Sequence, residues 1–297
     1  MDYLVYLLVR YFITIVQSLP IGLSMKAVHG LAFLFTYIIP IRKKLVFENL
    51  RFAYPDLTDK QIQHIYHRMW IHLFTLVLEV GMLDRKVHTS NWKKYLKLHG
   101  IDQFVEYSLS GRAVAIVTAH YGNFEAAGFS LGLMGFPTYS IARTLDNPYL
   151  NHFVKTFRQS TGQYIVSRTD AAELLPLIVE LKATIGFLSD QHAGDRGLWV
   201  KCLNRETSSP KGVAVLVQAN QIPACVGCAR RINGQPLHFD LHIFSYLDPI
   251  DDPEGKYNTR TITEWYNKVF EDMITSDPTQ YWWIHRKWRE KPKRHVR

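Results

Sequence analysis

The stretch AVAIVTAHYGNFE, residues 113–125, decides the fold. Its first six residues are apolar without a period of two, as in a strand buried on both faces of a parallel sheet. Gly122 and Asn123 then allow a tight turn, and Glu125 starts the next helix. His120 thus stands just past the carboxyl end of a strand, where open α/β sheets place their ligands. A strand-to-helix turn can bring the Glu125 carboxylate back to one imidazole nitrogen. That contact would fix the tautomer and leave the other nitrogen free as a general base. By spacing alone, a histidine and a glutamate five residues apart carry little.

Outward from this stretch, short β-rich runs alternate with helical ones. Strands are predicted at 137–142, 164–167, 184–189, 224–230 and 238–244, with helices at 151–161, 171–181, 211–219 and 260–275. The helix over 171–181 is expected in spite of Pro176. Upstream, Thr58 with Gln61 resembles a capping box. Ile62, Ile65, Met69, Leu73, Leu76 and Val80 follow at helical spacing, and Gly81 is a plausible stop. Strands separated by helices predict an α/β sandwich around a mostly parallel sheet. No internal repeat, low-complexity tract or linker divides the region.

Residues 3–19 are apolar apart from Arg10, Thr14, Gln17 and Ser18, and a second apolar run reaches Ile41 before Arg42, Lys43 and Lys44. Neither run is a clean stretch of roughly 20 apolar residues, and a cleavable signal peptide fits poorly. One membrane-embedded or interfacial helix is expected, with the basic triplet on the cytoplasmic side; a buried helical hairpin is the alternative. The chain divides into an anchor, 1–44, and one catalytic domain, 45–297.

Composition agrees. With 47% hydrophobic and 21% charged residues over 297 positions, disordered, collagen-like and disulfide-scaffold classes are excluded. Thirty-five Lys and Arg against 26 Asp and Glu give a formal charge of +9, which favours anionic partners: nucleic acid, an anionic membrane leaflet or an acidic carrier protein. Three cysteines suggest a reducing compartment. Cys225 and Cys228 form a CxxC without a second pair, on an apolar strand, and read as packing residues. His64, His67 and His72 read as amphipathic surface or interface residues. No HExxH, Walker loop or GxGxxG occurs, so nucleotide binding has no support. From Arg286 onward, seven of twelve residues are basic and neighbour Trp282, Trp283 and Trp288. That suits an anionic headgroup layer, with single-stranded nucleic acid as the alternative; the apolar amino terminus favours membrane.

The His-x4-Glu motif after an apolar strand resembles the His-x4-Asp/Glu motif of glycerolipid-type acyltransferases, and looks closest to the bacterial lipid A lauroyl and myristoyl transferase family. Further segments resemble that family in order: Gly162–Arg168, Phe187–Asp195 with its Asp190-Gln191 pair, Ile222-Pro223, and Gln280–Trp288. The resemblance covers nearly the whole chain. Glu125 departs from the Asp of general glycerolipid acyltransferases and matches the lipid A branch.

The resemblance implies a glycerolipid acyltransferase-like fold and transfer of an acyl chain from a thioester to a lipid hydroxyl. His120 would be the base and Glu125 its orienting partner. Arg168, in the segment that resembles the family's second block, would grip acceptor phosphate; Arg143 is a candidate for the same role by its proximity in the order of elements, not by the resemblance. Asp190 and Gln191 would line the substrate site, Asp190 as a reactant or as a loop-fixing residue. Oxyanion donors are expected at 122–124 or in the turn 190–194. No metal, cofactor or covalent acyl-enzyme is needed. The expected donor is an acyl carrier protein, or else acyl-coenzyme A, and the acceptor a lipid A precursor, at the cytoplasmic face of a bacterial inner membrane. Alternatives are another lipid acceptor (a phosphoinositol mannoside, an aminolipid or a lysophospholipid), a catalytically silent membrane-binding protein of the same fold, and a metal-dependent hydrolase.

Overall fold

Val114–Thr118 forms the central strand of a seven-stranded sheet, and its alternation explains the layers. The structure is a computed structural model that describes residues 1–142, 144–252 and 254–289. In chain order the elements begin with α1 (Asp2–Ser18), α2 (Ile21–Phe33), α3 (Lys43–Ala53), α4 (Asp59–Val80) and α5 (Leu83–Lys86). Next come β1 (Leu96–His99), α6 (Asp102–Leu109), β2 (Val114–Thr118), α7 (Phe124–Leu133) and β3 (Thr138–Ala142). They continue with α8 (Pro148–Gln159), β4 (Gln163–Ser167), α9 (Ala171–Glu180), β5 (Thr184–Leu188) and the hairpin β6 (Leu198–Cys202) and β7 (Arg205–Ser209). The last are α10 (Gly212–Asn220), β8 (Ala224–Arg231), β9 (Phe239–Leu247) and α11 (Thr259–Ser276).

The sheet order is β1-β9-β8-β2-β5-β3-β4. Only the β8–β9 pair is antiparallel, so the sheet is mostly parallel, as the sequence predicts. Successive residues of a strand face opposite sides. Ala115 and Val117 pack with Val213 and Val217 of α10 and Phe270 of α11. Val114 and Ile116 pack with Phe104 of α6 and Leu131 of α7. Helices therefore cover both faces, which is why the strand is apolar on both.

The capping box forms as predicted: Thr58 Oγ1 accepts from the Gln61 amide, and Gln61 Oε1 accepts from the Thr58 amide. α9 runs through Pro176. The amino-terminal apolar region is two helices broken at Leu19-Pro20, the second continuing through a π-helical turn at Leu34–Ile38. Ile21–Ile38 is the one segment among the described residues long and apolar enough to cross a membrane. Only about a fifth of it is buried, and α1 exposes Leu4, Leu8, Tyr11 and Phe12. α2 rests on α4 and α1 touches α8.

Two readings are corrected. His72 is buried, because a partner far away in sequence receives it. Trp283, Lys287 and Trp288 are also buried, so these three pack inward instead of joining an interfacial stripe, while Arg286 and Arg289 stay exposed. The basic residues from 290 onward lie outside the described residues.

Candidate active site

Parallel register builds the centre of the site. β2 and β5 pair with Thr118 opposite Leu188. Two residues further along each chain stand His120 and Asp190, and His120 Nδ1 meets Asp190 Oδ1 at 2.6 Å. The Ser189 amide donates to the Thr118 carbonyl and extends the ladder to the edge. The Asp190 carboxyl is completely buried. Burial alone would raise its pKa; the charge and hydrogen bond of His120, then Lys287 and His285, pull it well below the ordinary carboxylate range. Gln191 Nε2 lies 3.2 Å from His120 Nε2 and 2.9 Å from His285 Nε2. Burial, with the nearby charges of His120, Arg42 and Lys287, pulls the His285 ring down to about 4 against the opposing pull of Asp190.

The turn after His120 is held from behind. Gly122 has φ +61°, and a Cβ there would sit 2.2 Å from the Ala229 carbonyl oxygen, so only glycine fits. Asn123 is fully buried and caps α7, its Oδ1 accepting from the Ala126 amide at 2.9 Å. Its Nδ2 donates to Glu79 Oε2 at 2.9 Å. Glu79, also fully buried, takes two hydrogen bonds from Arg231 and one from the Leu237 amide. His72 closes the network, with Nδ1 2.6 Å from Arg231 and Nε2 3.2 Å from the Gly122 carbonyl. Burial and the Arg231 charge push His72 far below its ordinary value. The ring is therefore neutral, accepting at Nδ1 and donating at Nε2.

The carboxyl segment completes the front. Tyr281 bridges Tyr121 in antiparallel fashion, and the Trp282 amide donates to the His120 carbonyl at 3.1 Å. The His120 ring thus meets Trp282, His285 and Phe124 edge to face at about 5 Å. Asn49 holds the Trp283 and His285 carbonyls, and Arg42 holds that of Ile284.

The expected His120–Glu125 contact is replaced by two separate pairs. Glu125 takes a two-pronged hydrogen bond from Arg158 of α8, at 2.9 and 2.5 Å. A local turn argument weighs only the carboxylate nearby in sequence, whereas parallel register delivers one seventy residues away. The Glu125–Arg158 pair borders an apolar channel of about 920 Å³, counting its open mouth. Ile116, Gly128, Leu131, Gly186 and Ile243 line it between the sheet and α7.

Of the other expected residues, Gln191 joins the centre. Arg168 follows β4 at the far edge of the sheet, three strands and about 14 Å from β2 by strand spacing. Arg143 lies outside the described residues. The Gly122 and Asn123 amides donate to the Gln280 and Ala229 carbonyls, and the Ala193 amide to Ser208, so these three are already engaged. Sequence reasoning missed Arg158 and the Glu79–Arg231–His72 network. No local signal marks them, although the quoted carboxyl-terminal motif did contain His285 and Trp282. Cys225 and Cys228 are buried and free, with Cys228 pushed up to about 12 by burial. Among the described residues one group has metal-ligand chemistry: His99, Asp240 and His242, with ligand atoms within 4.8 Å of one another. Arg230 donates to Asp240 at 3.1 Å, placing a cation beside the carboxylate that a metal would need, so the group fits an ion-pair cluster better.

A buried histidine–carboxylate pair thus stands at the carboxyl edge of a mostly parallel α/β sheet, and the neighbouring Thr118, Phe124 and Glu125 line an apolar channel. The sequence profile described as bacterial lipid A biosynthesis acyltransferase matches residues 1–290. The chain belongs to that family, and as such is an O-acyltransferase. It is 21% identical to the lipid A biosynthesis lauroyltransferase of Escherichia coli (strain K12), covering 95% of this chain and 93% of the relative. It is 20% identical to the lipid A biosynthesis palmitoleoyltransferase of the same organism and, with the same figures, to a lipid A biosynthesis acyltransferase of Shigella flexneri, covering 84% of this chain and 80% of either relative.

Proposed function

We propose that the chain transfers a fatty acyl group from an acyl thioester to a hydroxyl of a lipid A precursor, with His120 as general base. The observation that carries this is the His120–Asp190 pair: Asp190 fixes Nδ1 and leaves Nε2 on the open side toward Gln191. Nε2 takes the hydroxyl proton while the oxygen attacks the thioester carbonyl. The tetrahedral adduct collapses as the C–S bond breaks, and the imidazolium returns its proton to the leaving thiolate. Asp190 stabilises the imidazolium between the two steps. The amides of Phe124 and Glu125 at the start of α7 are the donors proposed for the oxyanion, while the Gln191 side-chain amide is engaged by the His120 and His285 rings.

The apolar channel suits the acyl chain, and the Glu125–Arg158 pair is the charged part of its lining. Glu125 therefore acts through Arg158 instead of directly on the ring. Arg168 and Arg143 remain the proposed grips for acceptor phosphate. A net charge of +9 favours an acidic acyl carrier protein as donor over acyl-coenzyme A. Residues 1–44, with the apolar helix Ile21–Ile38 ahead of Arg42–Lys44, serve as the anchor at the cytoplasmic face of the inner membrane, and 45–297 as the catalytic domain.

The test is transfer of a labelled acyl chain from acyl carrier protein to a lipid A precursor in detergent micelles. Robust transfer by the wild type, abolished in folded His120→Ala and Asp190→Asn, is expected. Hydrolysis of the donor without transfer to this acceptor would overturn the acceptor assignment, and no turnover of any thioester would overturn the base.

A further inference from the structure

Lys287 is a residue that neither the base chemistry nor the family motif explains. Its side chain is 1% exposed, and its Nζ has no hydrogen-bond partner among the described residues. A lysine buried in this way is costly unless its charge is used. Its backbone is pinned on both sides: Thr207 Oγ1 of β7 donates to the Lys287 carbonyl, and Trp288 Nε1 donates to the Cys202 carbonyl of β6. The side chain is thereby directed inward, with Nζ about 6 Å from the Phe270 and Trp288 ring centres. There it acts on the charge of Asp190 and on the Cys202 thiol.

Two further buried atoms lack hydrogen-bond partners in the same place. One is Asp190 Oδ2, the oxygen turned away from His120; the other is the Tyr281 hydroxyl, which interacts with Asp190 through both charge and hydrogen bonding without reaching a close hydrogen-bond geometry. A cation, a phenol and a carboxylate oxygen therefore gather behind the carboxylate that holds the proposed base.

We infer that Lys287 is a positioning residue of the reaction: a fixed, buried positive charge behind Asp190 that keeps the His120–Asp190 pair in its proton-accepting form. This rests on His120 being the base. The ready form, a neutral ring beside an ionised carboxylate, has a net charge of −1, and the singly protonated pair is neutral. A nearby fixed cation favours the ready form, whichever partner carries the proton in the other. Without Lys287 the proton affinity of the pair rises, and more of the enzyme rests protonated at neutral pH.

The other titratable or charged groups around the pair leave this countercharge to Lys287. His285, pulled down to about 4, is neutral across the working range. Tyr281 and Cys202 are pushed upward by burial and stay neutral. Glu271 of α11 is engaged by the Leu203 amide, and Arg42 reaches the Ile284 carbonyl on the outer side of the segment. Glu125 and Arg158 neutralise each other.

The test is the titration of the His120 ring in detergent-solubilised full-length protein, followed by NMR of labelled histidine and assigned with His120→Gln. This needs no turnover, so it stands apart from the test of the acyl-transfer reading. Lys287→Met keeps the length of the stem and removes the charge. The ring midpoint is expected to move up by about one unit in this variant, and the acid limb of kcat/KM with it. Lys287→Arg, which keeps the charge, is expected to leave both near wild type even where stability falls. An unmoved midpoint in folded Lys287→Met would overturn the inference and leave Lys287 a packing residue. If the methionine variant does not fold, the arginine variant decides: a midpoint raised despite the retained charge overturns it, and one at the wild-type position supports it.

Discussion

Two histidines meet the same turn from opposite sides. His120 faces the open site with a carboxylate on Nδ1, and His72 lies behind Gly122 with a guanidinium on Nδ1. An anion beside an imidazole stabilises its charged form, while a cation beside a buried imidazole forbids it. On the proposed reading one ring takes and returns a proton, and the other serves as a fixed hydrogen-bonding strut. The neighbour's charge, more than the histidine itself, separates a reacting group from a scaffold.

The comparison breaks most sharply at the reacting ring. His120→Ala should lower transfer by about 10²–10⁴-fold with little change in thermal unfolding. His72→Gln should do the reverse, costing stability while folded molecules keep most of their turnover. Equal losses of turnover in the two would erase the distinction.

The two carboxylates provide the next largest contrast. Asp190→Asn should cost about 10²-fold or more in kcat at constant fold. Glu125→Gln, acting through Arg158 in the channel lining, should weigh more on KM for the acyl donor. Steady-state kinetics on both variants measure the split.

Behind the turn, Arg231→Met leaves Glu79 buried without its cation and should destabilise the fold by about 3–5 kcal/mol, as read by denaturant unfolding. Arg51→Ala removes an ion pair exposed at both ends and should cost less than about 1 kcal/mol.

A further contrast is in the pH dependence of stability. His72 and His285 both have folded-state values below the ordinary 6.5. Below pH 6.5 the unfolded chain therefore binds protons that the folded chain refuses. Their contribution is whole above pH 6.5 and declines as pH falls, toward about 4 for His285 and further for His72. His72→Gln should flatten that decline by about 1.4 kcal/mol per pH unit, visible in urea midpoints between pH 6.5 and 5.

Many regular elements were legible from their apolar pattern, though the alternating β1 and the short α6 were not predicted. AVAIVT could only be a doubly buried strand, and Thr58 with Gln61 marked the start of α4. The β6–β7 hairpin was not legible, since RETSS carries no apolar alternation and is buried by its contacts with the carboxyl segment and α11. In the site, His120 and the Asp190-Gln191 pair were visible as motif residues, but their pairing was not. It depends on the offset between β2 and β5, which no stretch of either strand encodes alone. Glu79, His72 and Arg231 escaped for the same reason: each is an ordinary polar residue until the partner arrives from up to 159 positions away.

The antiparallel bridge between Tyr281 and Tyr121 has a consequence for the timing of synthesis. Along the chain His120 and Asp190 both precede the segment carrying Trp282, His285 and Lys287, so translation delivers them before it. A chain still being made can therefore hold His120 and Asp190 side by side while the front of that pair is open to water. Closure of the site around this pair thus waits on residues 281–288, and a chain terminated before them keeps the pair without its front.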